Sequence, residues 1–480
     1  MFWVIVSLTL PSCGGPSSSG TRTSGIAHRA FVSNTVSSST SAGLFIVNAE
    51  TDMHPLSLAP ISAGTTPGMM VITPNRTQTL VVTSASNCSP TPPSPPCQFN
   101  IVSNATESNA ASVTLPGFTQ SVVVSPDSST VYVAVPSAKV VNQPQGAIEL
   151  YGLTGPNPGT AAGEVDIPSV QYLAIDNGGD RLLAFSPNGP NPNSIAVVTP
   201  SNLGTNNPVV TYVAGAGIDH PVQAFFSSDD STAYIVNCGA ECGGNQASVQ
   251  QLNMTNNTLG TSVPACIPQP ASNPVICQGP AAGSVALLNG STMYLAGTPY
   301  TVGGGESLLC PAGATQAQYC GQLTIIDLST MSVTNTSEII ITDGYHDRIA
   351  MGANGQLVIG AHTCSEIIPP TPPPAGAEVR GCLSIYNTLN TAVGTVPAGA
   401  VVIPPANGDV TGLQPIASRD VVYVVQGYPT PGGSLYIYCT VADANINCPT
   451  ADALQLAPGN QPSYAPLIVG NFFDVKTVDF

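Results

Sequence analysis

Charge is the scarcest commodity in this chain. Only 7% of its 480 residues are Asp, Glu, Lys or Arg, against roughly 25% in ordinary soluble domains. Two lysines and seven arginines face 26 acidic residues, for a net charge of −17. A phosphate backbone is held by clustered cations, so nucleic acid is excluded as a partner. Electrostatic attachment to anionic lipid is excluded on the same ground. Aromatic residues amount to 6%, and the one tryptophan is Trp3. No segment shows the 3.6-residue apolar period of an amphipathic helix. The apolar run at residues 1–10 is far short of the roughly 20 residues that span a bilayer as a helix.

What is abundant points one way. Gly (47) and Pro (46) together make up nearly a fifth of the chain, and hydrophobic residues make up 42%. Such a composition disfavours long helices yet supplies ample material for a core. Solvation must come from Ser, Thr, Asn, Gln and Gly.

The N-terminal apolar run fits the h-region of an export signal. Leu10-Pro11-Ser12-Cys13 resembles a bacterial lipobox, which implies a lipid on Cys13. The domain reading is a signal at 1–12, a lipidated Cys13 with a Ser/Gly-rich tether through 27, and one domain over 28–480. A plain secretory signal with a chance cysteine is the alternative. Either way the chain is exported. A lipid would hold it in the bacterial cell envelope, with the membrane touched only through that anchor.

Cysteine usage supports export independently. Thirteen cysteines less Cys13 leave twelve, in sequence-local couples: Cys88 and Cys97, Cys238 and Cys242, Cys266 and Cys277, Cys310 and Cys320, Cys364 and Cys382, Cys439 and Cys448. An even set set in Pro/Gly-rich loops reads as disulfide staples in an oxidising compartment. No C-x-x-C pair and no zinc-ligand histidine spacing accompanies them, so no metal is assigned.

Repeats organise the remainder. A hairpin unit of two apolar strands around an Asp/Asn/Gly/Ser turn recurs from Met70, Ser121, Tyr172, Ala224, Val285, Arg348 and Leu413. After each comes a strand with a polar, Thr-rich end. Counting one near the N-terminus, there are eight of these, starting at 43, 98, 147, 194, 248, 322, 382 and 434. Four short strands per period, none able to bury both faces alone, predict an all-β propeller of four-stranded blades. Eight blades are expected, or seven if one insertion-rich period is not a blade. The eighth is split between Ala30–Asn34 and residues 464–469, so pairing of the chain's ends would seal the ring.

Ala30-Phe31-Val32-Ser33-Asn34 and Ala233-Tyr234-Ile235-Val236-Asn237 resemble the Y-V-T-N strand of the YVTN-repeat, lactonase-like β-propeller family of bacterial exported proteins. The turn Ser125-Pro126-Asp127-Ser128 and the strand at 323–330 resemble its other signatures. The resemblance implies the propeller fold over nearly all of 28–480. It leaves function open, because the family includes surface antigens and lactonase-like enzymes. The cysteine couples and a Pro-rich insertion at 89–96 depart from the family pattern and imply decorated loops on one rim. The lack of tryptophan beyond Trp3 argues against quinoprotein-type propellers.

In a propeller the segments leading into each first strand surround the mouth of the central channel. The candidate ligand-binding residues there are Gln120, Asp219, His220, Tyr345, His346, Asp347, Arg348, Asp409 and Gln461. Asp219–His220 and Tyr345–Arg348 occupy equivalent repeat positions, so both clusters are expected to face one funnel. Strand-end capping in a wet channel is the bland alternative. His28 and His54 read as surface residues and His362 as structural. No nucleophile elbow, zinc-protease helix or phosphate loop is present. The reading is a non-catalytic binding or scaffold module for a protein or a small polar, carbohydrate-like ligand, without a cofactor. The alternative is a lactonase-like hydrolase at the channel mouth, where a divalent metal would have a place.

Overall fold

A computed structural model describes residues 23–35, 41–89, 92–140, 143–267, 276–280, 286–301, 321–336, 339–341, 345–362, 383–388, 400–402, 409–416, 419, 421–426, 434–439 and 468–479. They form an eight-bladed β-propeller of antiparallel sheets. Blade 1 comprises Pro67–Ile72, Gln78–Thr83, Gln98–Ser103 and Ser108–Thr114. Blades 2, 3 and 4 follow with first strands Ser121–Val124, Tyr172–Ile175 and Pro221–Phe226. Blade 5 begins at Ala286–Asn289, blade 6 at Tyr345–Met351 and blade 7 at Val410–Ile416. All eight third strands expected from the repeat lie in the third position of a blade, from Gly43–Asn48 to Ser434–Cys439. Blade 5 is enlarged: Cys266–Ile267 pairs with Ile276–Pro280, which extends along the long strand Thr292–Thr301. That insertion explains the widest repeat interval.

Burial follows position in the blade. The second strand of blade 2, Thr130–Val135, is buried on both faces, since neighbouring sheets cover it from either side. The outer strand Ser108–Thr114 of blade 1 is almost wholly exposed. The core therefore lies between blades. Phe99 and Ile101 of blade 1 pack with Val122, Val131 and Val133 of blade 2, each buried aliphatic contributing roughly 1.5–3 kcal/mol.

Antiparallel succession gives the ring two unlike faces. Turns joining first to second and third to fourth strands gather on one, the turn face. Loops joining second to third strands, and the crossovers between blades, gather on the other, the mouth face. On the turn face, neighbouring hairpins are tied together. Ser128 takes the left-handed region (φ 62°), its hydroxyl accepts from the Asn75 backbone N–H at 3.0 Å, and Ser125 donates to Asp127 at 2.5 Å. In blade 4, Asp230 repeats the left-handed turn (φ 55°) and accepts from the Asn177 N–H at 3.0 Å.

Blade 8 closes the ring, and here the structure corrects the sequence reading. The strand that pairs with Arg29–Thr35 is Asn471–Thr477. Ile468–Val469, from the expected segment 464–469, is instead the outer strand of blade 7, against Ser434 and Leu435; residues 464–467 lie outside the described ones. Arg29 is the hub of the closure. Its guanidinium is fully buried, forks onto Asp479 at 2.8 and 2.8 Å, and reaches Glu107 at 2.7 Å and the Asn104 carbonyl at 2.6 Å. Burial works against its charge, and the two carboxylates more than offset that, so its pKa is raised. Asp474, buried in the closing strand, accepts from the Met70 N–H at 2.9 Å. Across the other seam, Arg419 of blade 7 forks onto Asp52 at 2.6 and 2.6 Å. Thr23 and Ser24, assigned by sequence to the tether, are held on the Thr106–Glu107 turn by hydrogen bonds of 2.6–2.9 Å.

Two disulfides, Cys88–Cys97 and Cys238–Cys242, staple mouth-face loops. Cys266 is disulfide-bonded, and the backbone register sets it opposite Cys277. Cys13, Cys310, Cys320, Cys364, Cys382 and Cys448 lie outside the described residues, and at Cys439 only the backbone is described. Disulfides persist in oxidising compartments, which marks an exported protein. No helix among the described residues is long and apolar enough to cross a membrane.

Two outcomes test this account. Arg29→Met leaves two buried carboxylates without their cation and lowers unfolding free energy by about 3–5 kcal/mol, while the exposed Lys139→Met stays within about 0.5 kcal/mol of wild type; urea denaturation reads both. In blade 2, Glu149 faces Glu164 across the sheet, and burial first, then Glu164 and Asp166, lifts its pKa to about 7. The folded state thus binds the extra proton, so stability falls as pH rises from the ordinary carboxylate range through about 7. Glu149→Gln should match wild type in acid and exceed it in urea midpoint above that window.

Candidate ligand-binding site

A cavity of about 180 Å³ opens at the channel mouth. It draws on blades from opposite sides of the ring: Met69 and Ser84 from blade 1, Phe118 and Gln120 leading into blade 2, Tyr172 from blade 3, Tyr345, Asp347 and Arg348 from blade 6, and Phe473 from the closing strand. A second hollow of about 320 Å³, lined by Thr35, Asp409, Thr411 and Asn471, shares Ser84 and Phe473 with it.

A β-bulge creates the polar wall. In a regular strand, neighbouring side chains point to opposite faces. In blade 6 the register shifts between His346 and Arg348, and the extra residue re-aims the chain. Asp347 and Arg348 both reach the cavity, whereas His346 turns inward and is fully buried. Similar shifts interrupt the first strands of blades 1, 4 and 7.

The charged groups are interlocked. Arg348 Nε donates to the Thr411 carbonyl at 2.8 Å, and Nη1 donates to Asp347 Oδ2 at 2.9 Å. His362 Nε2 lies 2.8 Å from the same Oδ2, and its Nδ1 lies 4.0 Å from Asp409. Asp347 Oδ1 is buried and has no hydrogen-bond partner among the described residues. Tyr345, 43% exposed, meets the Tyr172 hydroxyl across the channel. Burial first, then Tyr345 and Asp347, push the Tyr172 phenol far above its ordinary value.

The expected second cluster has a different task. His220 Nδ1 is 2.8 Å from Asp219 Oδ1, and Asp219 Oδ2 accepts from the N–H groups of Asn245 and Gln246, each at 2.7 Å. A Cβ on Gly244 would lie 1.9 Å from Asp219 Oδ1, so a larger residue there would push the carboxylate off its partners. Asp219 thus fastens the loop that the Cys238–Cys242 disulfide staples, and neither it nor His220 lines the cavity. Among the described residues, the two clusters expected to face one funnel do not both line this cavity. Gln120, Tyr345, Asp347 and Arg348 share the cavity, Asp409 lines the adjoining hollow, His346 is buried away from both, and Gln461 lies outside the described residues.

No family model matches the chain, and no curated protein matches it. Solved structures do. Hydrazine synthase from Kuenenia stuttgartiensis is 12% identical with a TM-score of 0.51, over 81% of this chain and 100% of that one. Dihydro-heme d1 dehydrogenase NirN is 10% identical with a TM-score of 0.56, over 94% of this chain and 76% of that one. The periplasmic gluconolactonase PpgL of Pseudomonas aeruginosa is 12% identical, over 78% and 96%, and its TM-score of 0.48 is too low to carry an argument. These likenesses show the fold alone. The YVTN-repeat resemblance therefore rests on its motifs.

Sequence reasoning missed His362, Tyr172, Phe118 and Phe473. His362 was legible in principle, since it is the register partner of Tyr345. The aromatic wall was not, because its members come from separate blades. Among the described residues, no three His, Cys, Asp or Glu side chains converge to hold a metal.

Asp219→Ala strips two backbone N–H groups of their acceptor. It should lower stability by about 1–3 kcal/mol in denaturant titration, and the chemical shifts of cavity residues should not move.

Proposed function

We propose that this protein is a cell-envelope binding module, held by a lipid on Cys13, whose channel mouth takes a small ring-shaped ligand rich in hydroxyl groups and does not transform it. The observation that carries this reading is the wall of the cavity, where Asp347 and Arg348 stand among aromatic residues drawn from separate blades. A carboxylate accepts hydrogen bonds and a guanidinium donates them, so a ligand hydroxyl can meet either. Phe118, Tyr172, Tyr345 and Phe473 offer flat apolar faces for a sugar-like ring, and Gln120 offers a further donor and acceptor at the rim. A few polar groups set in an apolar hollow is the ordinary build of a small-molecule site. The reading calls for no cofactor.

A lactonase-like hydrolase at this mouth has less support. It needs an imidazole facing the ligand. His220 and His346 do not line the cavity, and His362 directs Nε2 at Asp347 and Nδ1 toward Asp409.

The test is a calorimetric screen of the full chain against monosaccharides, sugar acids and their lactones. Saturable binding without product is expected, and Asp347→Asn should weaken it by about tenfold to a hundredfold while the protein stays folded. Opening of a bound lactone that disappears with His362→Ala would overturn the reading, as would a screen in which nothing binds.

A further inference from the structure

The two hollows at the channel mouth are continuous. The first, of about 180 Å³, and the second, of about 320 Å³, share Ser84 and Phe473 in their linings. The first alone falls below the roughly 300–1,000 Å³ of an ordinary small-molecule site, and the two joined fall inside that range. One imidazole faces an acid from each. His362 Nε2 lies 2.8 Å from Asp347 of the first hollow, and its Nδ1 lies 4.0 Å from Asp409 of the second. Arg348, in the first, donates at 2.8 Å to the carbonyl of Thr411, in the second. Contacts between blades 6 and 7 thus fix the polar walls of the two hollows relative to each other.

The second hollow repeats the chemistry of the first. Each sets a carboxylate and an uncharged amide beside an aromatic ring: Asp347, Gln120 and Tyr345 in the first, Asp409, Asn471 and the shared Phe473 in the second. Among the described residues the Asn471 side chain makes no hydrogen bond; its backbone N–H donates to Asn34 and its carbonyl accepts from Thr35. A side-chain amide offers both donors and an acceptor, which suits vicinal hydroxyls. The charge on these walls is two carboxylates against one guanidinium, and that guanidinium is already engaged by Asp347 and by Thr411. An anionic ligand meets an excess of like charge there, and a neutral one does not.

We propose that the ligand of this site is a neutral linear glycan of at least two sugar rings, one ring in each hollow, with the linkage between them beside Ser84 and Phe473. The inference rests on the binding-module reading above and goes beyond it in the size and charge of the ligand. Two rings joined by a short linkage behave as linked modules. Once the first is bound, the second meets its hollow at a high effective concentration. A disaccharide therefore gains affinity over its monosaccharide with no added contact in the first hollow.

Calorimetry of the full chain with matched pairs of sugars tests this: glucose against maltose and cellobiose, mannose against mannobiose, and N-acetylglucosamine against chitobiose. At least one disaccharide should bind about tenfold tighter than its monosaccharide, or better, and glucuronic acid should bind more weakly than glucose. Asn471→Ala and Asp409→Asn, each in its own protein with the fold checked by circular dichroism, should erase the advantage of the disaccharide. Monosaccharide binding that Asp347→Asn weakens, with no gain for any disaccharide, overturns the two-hollow proposal and leaves the binding reading standing. A gain that survives both second-hollow substitutions in folded protein overturns it as well, and tighter binding of glucuronic acid than of glucose overturns the neutral ligand. A panel in which no monosaccharide and no disaccharide binds removes the binding reading itself and this inference with it.

Discussion

Closure of the ring is the constraint on which everything else depends. A four-stranded sheet with two apolar faces is stable only when both are covered, and in a ring each blade covers its neighbours. One pairing, Arg29–Thr35 with Asn471–Thr477, turns a row of blades into a circle. The cations of this charge-poor chain gather around it. Four of its nine, Arg29, Arg76, Arg419 and Lys476, contact groups in blade 8 or in the segments that flank its strands. Arg29 links that blade to blade 1 through Glu107 and to the chain's end through Asp479, while Arg419 links it to blade 7. Buried guanidinium forks suit this task because their geometry is fixed and wrong registers leave charges unpaired.

The binding site inherits its geometry from that closure. Phe473 belongs to the closing strand and faces a cavity whose other walls come from blades 1, 2, 3 and 6. No single blade contains it, so an open row of blades would have no site. The bulge in blade 6 adds the chemistry. One extra residue brings Asp347 and Arg348 to the same wall and sends His346 inward. The two faces of the ring then divide the work: hairpin ties and the chain's exit on one, disulfide-stapled loops and the cavity on the other.

The repeat was legible because it is set by local chemistry. Left-handed turn positions at Ser128 and Asp230 need small or polar residues, and strands covered on both sides need continuous apolar runs, as at Thr130–Val135. The closing strand was misplaced for an equally physical reason. Ile468–Val469 looks like a strand by composition, whereas Asp474 interrupts Asn471–Thr477 with a residue that strands disfavour. Its burial is tolerated because one carboxylate oxygen accepts from the Met70 N–H of another blade, 404 residues away in the chain, and the other accepts from the Val475 N–H and lies 3.6 Å from Lys476 Nζ. His362 was read as structural for the same kind of reason, since its carboxylate partner Asp347 is brought to it by cross-strand register.

Composition and repeat alone determined that this chain is an exported, charge-poor, all-β ring of seven or eight blades, because solvation, turn conformation and burial on two faces are properties of short stretches of sequence, and the structure settled the count at eight. Which strand seals the ring, which of the mouth residues meet, and which face carries the chain's exit were decided only by tertiary structure. Those outcomes depend on register shifts of one residue and on pairings between opposite ends of the chain, and no local pattern encodes either.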